Sequence, residues 1–293
     1  MRKPRPARPE WQKPLEEGLY ITSTPIGNAR DISLHALDVL ANCDTILAED
    51  TRVTAKLLAI YGISRPQISY NDHNARRVRP QILMRLERGE RLALVSDSGT
   101  PLVSDPGYKL VREAIAADVK IYVVPGSSAV LSALVVSGLP TNRFLFVGFL
   151  PTRRDSRHAA LDKLKHVEST LIFFEPARQL AETLKEMQCV FHERDAAVAR
   201  ELTKLHENVR RGNLPDLASF YEDSPARGEV TILIGPPKPR EPDFGKVDRL
   251  LQKALPFMPM RTAVDFVREA MDVPHKAIYA RALLLKQFQN DGV

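Results

Sequence analysis

Cysteine is nearly absent from this 293-residue chain. Cys43 and Cys189 stand far apart, with no C-x-x-C or Cys/His spacing around either. A disulfide framework and a structural zinc site are therefore not expected, and a reducing cytoplasm is. Long apolar runs are also missing. The longest, residues 129–136, is broken by Ser132 and is far too short to span a bilayer. The amino terminus is basic but lacks the apolar core of a signal peptide. No G-x-G-x-x-G is present, which argues against a Rossmann dinucleotide site, and no lysine-bearing phosphate loop accompanies the acidic segments. No metal site is expected.

Hydrophobic residues make up 44% and charged residues 27%, ordinary values for a globular protein of two domains with a small appendage. The net charge of +6 is unevenly spread. Residues 1–14 hold five basic residues and one acidic residue, leaving 37 against 35 for the remainder. A Pro/Arg-rich tail over residues 1–17 is expected to be disordered. It serves either as a nucleic-acid contact or as a solubilising extension.

From Gly18 onward, short apolar runs alternate with amphipathic segments. Strands are expected at 19–22, 45–48, 67–70, 92–95 and 121–124, with helices at 33–40, 51–61, 80–88, 106–117 and 127–137 between them. This rhythm predicts a mostly parallel sheet covered on both faces, over residues 18–139. A second α/β domain with more antiparallel character follows over 140–236. Its strands are expected at 144–149, 170–174, 196–199 (leading into 200–206) and 229–234, and its helices at 155–166, 178–187 and 216–221. The proline-rich run 237–245 reads as a linker. Three helical patterns at 246–255, 262–271 and 274–287 form a small module over 246–293, marginal in size for its own core.

Four loops sit where strands end: 24–28, 49–52, 96–105 and 125–129. Open α/β sheets bind ligands outside the carboxyl ends of their strands. The segment LVSDSGTPLVSDPG contains carboxylates and hydroxyls but no lysine or arginine, which suits a ligand offering hydroxyls or positive charge. Turn chemistry and helix capping explain part of the same pattern. In AEDTR, Asp50 and Arg52 also fit an acidic helix start with a surface ion pair. A diol, an ammonium and a sulfonium all suit these loops, and S-adenosylmethionine carries all three.

LYITSTPIGNARDIS, ILAEDTRVTAKLL, LVSDSGTPLVSDPGYKLVREA, VVPGSSAVLSALVVSGLP, FFEPARQL and ARELTKLHENVRRG occur in this order. Together they resemble one branch of the tetrapyrrole (precorrin) methylase superfamily, the bacterial ribose 2′-O-methyltransferases that modify a cytidine in the decoding region of 16S rRNA. The resemblance implies an α/β, two-domain fold with S-adenosylmethionine in the interdomain cleft, a small C-terminal helical module, and a homodimer acting on the small ribosomal subunit. It places Pro25, Asp97, Gly99, Thr100, Pro101, Ser104, Asp105, Ser127, Ser128 and Ala129 at the cofactor, with the choice between Asp97 and Asp105 open. Two departures stand out. Thr100 replaces the superfamily aspartate, and FFEPAR lacks the aromatic hydroxyl and histidine of the branch's F-Y-E-S-P-H-R form.

Methyl transfer to a ribose hydroxyl needs alignment and an acceptor for the hydroxyl proton. The candidates are Glu49, Asp50, Glu175, Glu201 and Lys204. A lysine base requires a depressed pKa, which Arg200 beside it favours, and Glu201 also reads as Arg200's ion-pair partner. Arg76, Arg77 and Arg79 form one basic patch, Arg153, Arg154 and Arg157 a second, and Arg210 and Arg211 a smaller third. The resemblance favours RNA contact at the second. The alternatives are a tetrapyrrole methylase, which needs no basic patches, and a non-catalytic nucleic-acid-binding protein.

Overall fold

The computed structural model describes residues 15–238, 244–271 and 273–290, with side chains to 286 in the last helix. Most of the basic tail and the middle of the expected linker lie outside the described residues. The chain divides into two compact units, Met1–Pro237 and Lys238–Val293.

In the first unit, β1 (Gly18–Thr22), β2 (Thr45–Ala48), β3 (Gln67–Ser69), β4 (Arg91–Val95) and β5 (Ile121–Val124) form a fully parallel sheet of order β3-β2-β4-β1-β5. Alternation along the strands divides their side chains between two cores. Tyr20, Ile46, Ala48, Ala93 and Val95 pack with α1 (Leu34–Asn42) and α2 (Thr51–Ile60). Leu19, Leu47, Leu92 and Leu94 pack with α3 (Ala75–Glu87) and α4 (Tyr108–Ala116). Each fully buried leucine contributes about 1.5–3 kcal/mol. Ser33 caps α1, accepting from the Ala36 amide at 3.0 Å.

The helix expected to begin at Pro80 begins at Ala75, so Pro80 lies inside α3. The apolar spacing of Val78, Ile82 and Leu86 on the sheet outweighs the hydrogen bond that proline removes. Residues 15–17, read with the tail, lie against the first sheet: Leu15 joins its core and Tyr122 donates to Glu16 at 2.8 Å.

The helix α5 (Ala129–Ser137) leads to a second five-stranded sheet. It contains β6 (Phe144–Phe149), β7 (Thr170–Pro176), β8 (Asp195–Arg200), β9 (Asn208–Asn213) and β10 (Glu229–Ile234) in the order β6-β7-β10-β8-β9. Only β6 and β7 pair in parallel. The helices α6 (Arg154–Asp162), α7 (Leu180–Phe191) and α8 (Leu214–Asp223) cover one face. Val130, Ala133 and Leu134 of α5 pack on the other. Residues 201–206 form bends and turns, and β9, a strand not among those expected, follows them.

In the second unit, α9 (Phe244–Ala254), α10 (Met260–Ala270) and α11 (His275–Asn290) enclose a core around Val247, Leu251, Val264, Val267 and Ile278. The expected linker is two residues too long, because Phe244 and Gly245 already belong to α9. Among the described residues no helix is long and apolar enough to cross a membrane, and no group of three His, Cys, Asp or Glu is placed to hold a metal.

Candidate active site

Three strand-end loops of the first sheet are tied together by their backbones. Thr24 and Gly99 exchange two hydrogen bonds, Thr24 N–H to Gly99 at 2.8 Å and Gly99 N–H to Thr24 at 3.1 Å. The Thr100 hydroxyl donates to the Ser127 carbonyl at 3.1 Å and lies 3.1 Å from the Ser23 hydroxyl. The loops after β1, β4 and β5 thus form one rim. Gly99 has φ +85°, and a Cβ there would press on Ile26, so the turn and the close approach both require glycine.

A cavity of about 340 Å³ lies between this rim and the second sheet. From the rim come Ile26, Gly99, Thr100, Ser104, Asp105 and Ser128. The second sheet contributes Phe149, Phe174, Glu175, Glu201, Gly228 and Thr231. Leu102 and Ser104 beside it hold φ values of +73° and +66°, and Glu201 holds +50°. Such strained, non-glycine backbone clusters at functional sites.

The rim side is acidic. Burial, joined by the nearby Glu49 charge, pushes the Asp105 carboxyl up to about 6 against the Ser96 hydroxyl's hydrogen bond. Asp97 and Glu49 are also raised, first by burial; the Asp50 amide donating to Asp97 at 3.0 Å opposes its shift. A buried acidic group of this kind gains when a cation enters beside it.

Glu175 and Glu201 face the cavity from the opposite side. Glu175 is buried, accepts from the Thr183 hydroxyl at 2.9 Å and is raised by that burial. Glu201 accepts from the Glu229 amide at 2.8 Å and from Lys204 at 3.1 Å. These bonds, the amide first, hold its carboxyl below the ordinary range.

Eight of the residues expected at the site line this cavity: Gly99, Thr100, Ser104, Asp105, Ser128, Ala129, Glu175 and Glu201. Pro25, Pro101 and Ser127 belong to the same loops but do not line it. Of the two aspartates left open by sequence, Asp105 lines the cavity and Asp97 does not. Asp50 is a helix cap, accepting from the Arg52 amide at 2.8 Å; its ion pair with Arg52 lowers it to about 2, which unsuits it as a base. Glu49 lies behind the rim, close enough to Asp105 to raise it but outside the lining.

Lys204 is corrected as well. Burial pulls its pKa down, but hydrogen bonds to Glu201 and Glu229 outweigh that, and the net shift is upward. It is held as an ammonium rather than poised as a base. Arg200 donates to the Arg227 carbonyl instead of pairing with Glu201.

The arginine patches also divide. Arg153 and Arg154 are exposed, whereas Arg157 is buried and locked to Glu186 at 2.6 Å and Glu182 at 2.7 Å, out of reach of RNA. Arg76 and Arg77 are exposed, but Arg79 is turned inward to Glu113 at 2.8 Å. Arg210 lies over the Phe220 ring and Arg211 donates to the Val136 carbonyl. Sequence reasoning missed Ile26, Phe149, Phe174, Gly228 and Thr231, which carry no chemical signature and join the site only through tertiary packing.

The sequence profile described as Tetrapyrrole (Corrin/Porphyrin) Methylases matches residues 18–218. The chain belongs to the tetrapyrrole methylase family. A second profile, the RsmI C-terminal HTH domain, matches residues 241–286. Among tetrapyrrole methylases the chain is similar to the ribosomal RNA small subunit methyltransferase I of Mesorhizobium japonicum, with 44% identity over 283 residues and 96% of each chain covered. The protein of the same name from Rickettsia prowazekii is 45% identical over 220 residues, 75% of this chain and 79% of that one.

Solved structures share the family fold at low identity. Diphthine synthase has a TM-score of 0.58 and 14% identity, covering 74% of this chain and 89% of its own. The uroporphyrin-III C-methyl transferase from Thermus thermophilus, complexed with S-adenyl homocysteine, has a TM-score of 0.53 and 18% identity over 74% and 97%.

Proposed function

We propose that this chain is an S-adenosylmethionine-dependent methyltransferase that methylates the ribose 2′-hydroxyl of a cytidine in the decoding region of 16S rRNA, in the cytoplasm, on the small ribosomal subunit. The observation that carries the reading is the cavity with a raised carboxylate on one wall and a pair of glutamates on the other. Its relatives' names support small-subunit ribosomal RNA as the substrate.

The residues present fit the cofactor. Ile26, Val103, Val130 and Leu202 offer apolar walls for an adenine, Thr100 and Ser128 offer hydroxyls, and the half-buried Asp105 is relieved by a cation. When bound, S-adenosylmethionine supplies a methyl group on a sulfonium. Gly99 lets the rim backbone approach, and Asp105 holds the cationic end. Pro25, Asp97, Pro101 and Ser127 shape the loops that carry this wall, Ser127 through the Thr100 bond and Asp97 through the Asp50 amide.

Opposite, Glu201 is anionic at neutral pH and orients the ribose hydroxyl by accepting its hydrogen bond. As the hydroxyl oxygen attacks, its proton passes along that hydrogen bond to Glu201, and Glu175, raised by burial, is a second carboxylate on the same wall. The apolar faces of Phe149 and Phe174 exclude water. Exposed Arg76, Arg77, Arg153 and Arg154 meet the RNA backbone.

The deciding experiment maps 2′-O-methylation on 16S rRNA from cells with and without the gene. The reading requires one cytidine ribose to lose its methyl group; an unchanged map overturns it. A homodimer belongs to the same reading, supported by Val123 and Val135, which are 71% and 72% exposed. Sedimentation equilibrium tests it, and a monomer at micromolar concentration removes it.

A further inference from the structure

Asp105 lines a second cavity, of about 440 Å³, on its other side. The loop after β3 and the first turns of α3 and α4 form its walls. Three kinds of group face it. Tyr108 is 62% exposed, with the Arg112 guanidinium 5.8 Å from its ring centroid. Arg76 and Lys109 are exposed cations that make no ion pair among the described residues. Asp72 adds an exposed carboxylate. Arg79, the third cation here, is committed to Glu113.

An aromatic face, two uncommitted cations and a carboxylate acceptor are complementary to one ribonucleotide. An unstacked base lies on an aromatic ring, its phosphate meets the cations, and an exocyclic amine or ribose hydroxyl donates to the carboxylate. A free anion would not need the ring, and a duplex could not present a base to it. Because Asp105 is a wall of both cavities, a strand whose target ribose enters the first has its neighbouring nucleotide at the second.

We propose that this cavity is the subsite for the nucleotide next to the methylated one in a single-stranded RNA substrate. The proposal rests on the RNA methylation reading above. Tyr108 stacks on the base, Arg76 and Lys109 hold the phosphate, and Asp72 accepts from the base edge or ribose.

The test uses the full chain with Tyr108→Ala, Tyr108→Phe and the double variant Arg76→Ala/Lys109→Ala. A single-stranded RNA oligonucleotide of decoding-region sequence is followed by fluorescence anisotropy, small ribosomal subunits by methylation kinetics, and S-adenosylmethionine by calorimetry. Tyr108→Ala is expected to raise both the oligonucleotide Kd and the KM for subunits at least about fivefold. The kcat and cofactor affinity stay unchanged, and Tyr108→Phe behaves as wild type. The double variant reduces the salt slope of log Kd by about 0.7, one single-strand phosphate contact.

Wild-type Kd and KM in Tyr108→Ala and the double variant overturn the proposal, as does a Tyr108→Phe variant as weak as Tyr108→Ala. Oligonucleotide binding that depends on Tyr108 in a chain that methylates no rRNA upholds the subsite while the methylation reading fails. Methylation indifferent to all three variants does the reverse.

Discussion

The carboxylate of Glu201 occupies the space that a side chain on Gly228 would need. Gly228 has φ +83°, and any Cβ built there falls inside van der Waals contact with the Glu201 carboxylate. The Glu229 amide, one residue on, fixes that carboxylate at 2.8 Å. Gly228→Ala therefore displaces Glu201 from both the amide and Lys204.

The expected result is at least about a tenfold fall in methylation kcat, shared by Glu201→Gln, with cofactor affinity retained. The unfavourable φ alone costs about 1 kcal/mol, or roughly 2–4 °C of Tm in a chain of this size. Single-turnover kinetics with parallel calorimetry check it. Wild-type kcat in Gly228→Ala would free Glu201 of any role in orienting the hydroxyl.

Arg157 gives a prediction opposite to the one its patch suggests. Its guanidinium holds Glu186 by two bonds of 2.6 and 2.8 Å, and both side chains are nearly inaccessible. Arg157→Ala leaves the nearly buried Glu186 charge with only the 3.6 Å contact of the exposed Arg154, at a cost of about 3 kcal/mol. Arg153→Glu/Arg154→Glu costs about 1 kcal/mol or less, since both are exposed and the Arg154–Glu186 contact at 3.6 Å is solvent-screened, and raises the KM for rRNA. Thermal unfolding and methylation kinetics separate the two. A stable Arg157→Ala variant with weakened RNA binding would restore the patch as first read.

Why these differed from expectation is physical. The first sheet was legible because its central strands are buried on both faces and bounded by turn residues; β2 and β5 carry the expected limits, as do β6 and β10 of the second sheet. Asn208–Asn213 was not, since an antiparallel edge strand with exposed arginines has no apolar alternation to read. The rim loops were visible through hydroxyls, carboxylates and glycine. The opposite wall was not: Phe174 and Thr231 are ordinary strand residues until pairing sets them side by side. The state of an arginine is likewise invisible in sequence, because Glu186 approaches Arg157 from a different helix.

Lys204 predicts the shape of the pH–rate profile. With Glu201 and Glu229 both bonded to it, the ammonium is retained beyond the ordinary lysine range. Methylation is expected to show no rise between pH 8 and 10 of the kind a titrating lysine base produces (about tenfold per unit below its pKa). Lys204→Arg, which keeps the charge and donors, retains most activity, whereas Lys204→Met loosens Glu201 and lowers kcat. A steep alkaline rise that disappears in Lys204→Arg would make Lys204 the base after all.

Asp105 makes pH act on stability and cofactor binding in opposite directions. Its carboxyl sits at about 6 in the folded protein, chiefly through burial, against about 3.9 in an unfolded chain. The folded state binds this proton more tightly, so its contribution to stability is present at pH 4 and is lost as pH rises through 6. Asp105→Asn abolishes that loss, and its Tm relative to wild type climbs between pH 4 and 6 and then levels off. The variant-minus-wild-type difference is the needed quantity, because Glu49 and Asp97 are raised in the same sense. S-adenosylmethionine affinity behaves oppositely. A cation prefers the ionised carboxylate, so wild-type affinity strengthens as pH rises through 6, while that of Asp105→Asn is weaker and flatter. Calorimetric titrations at pH 5, 6 and 7 decide it: parallel profiles for the two proteins would place the cationic end of the cofactor away from Asp105.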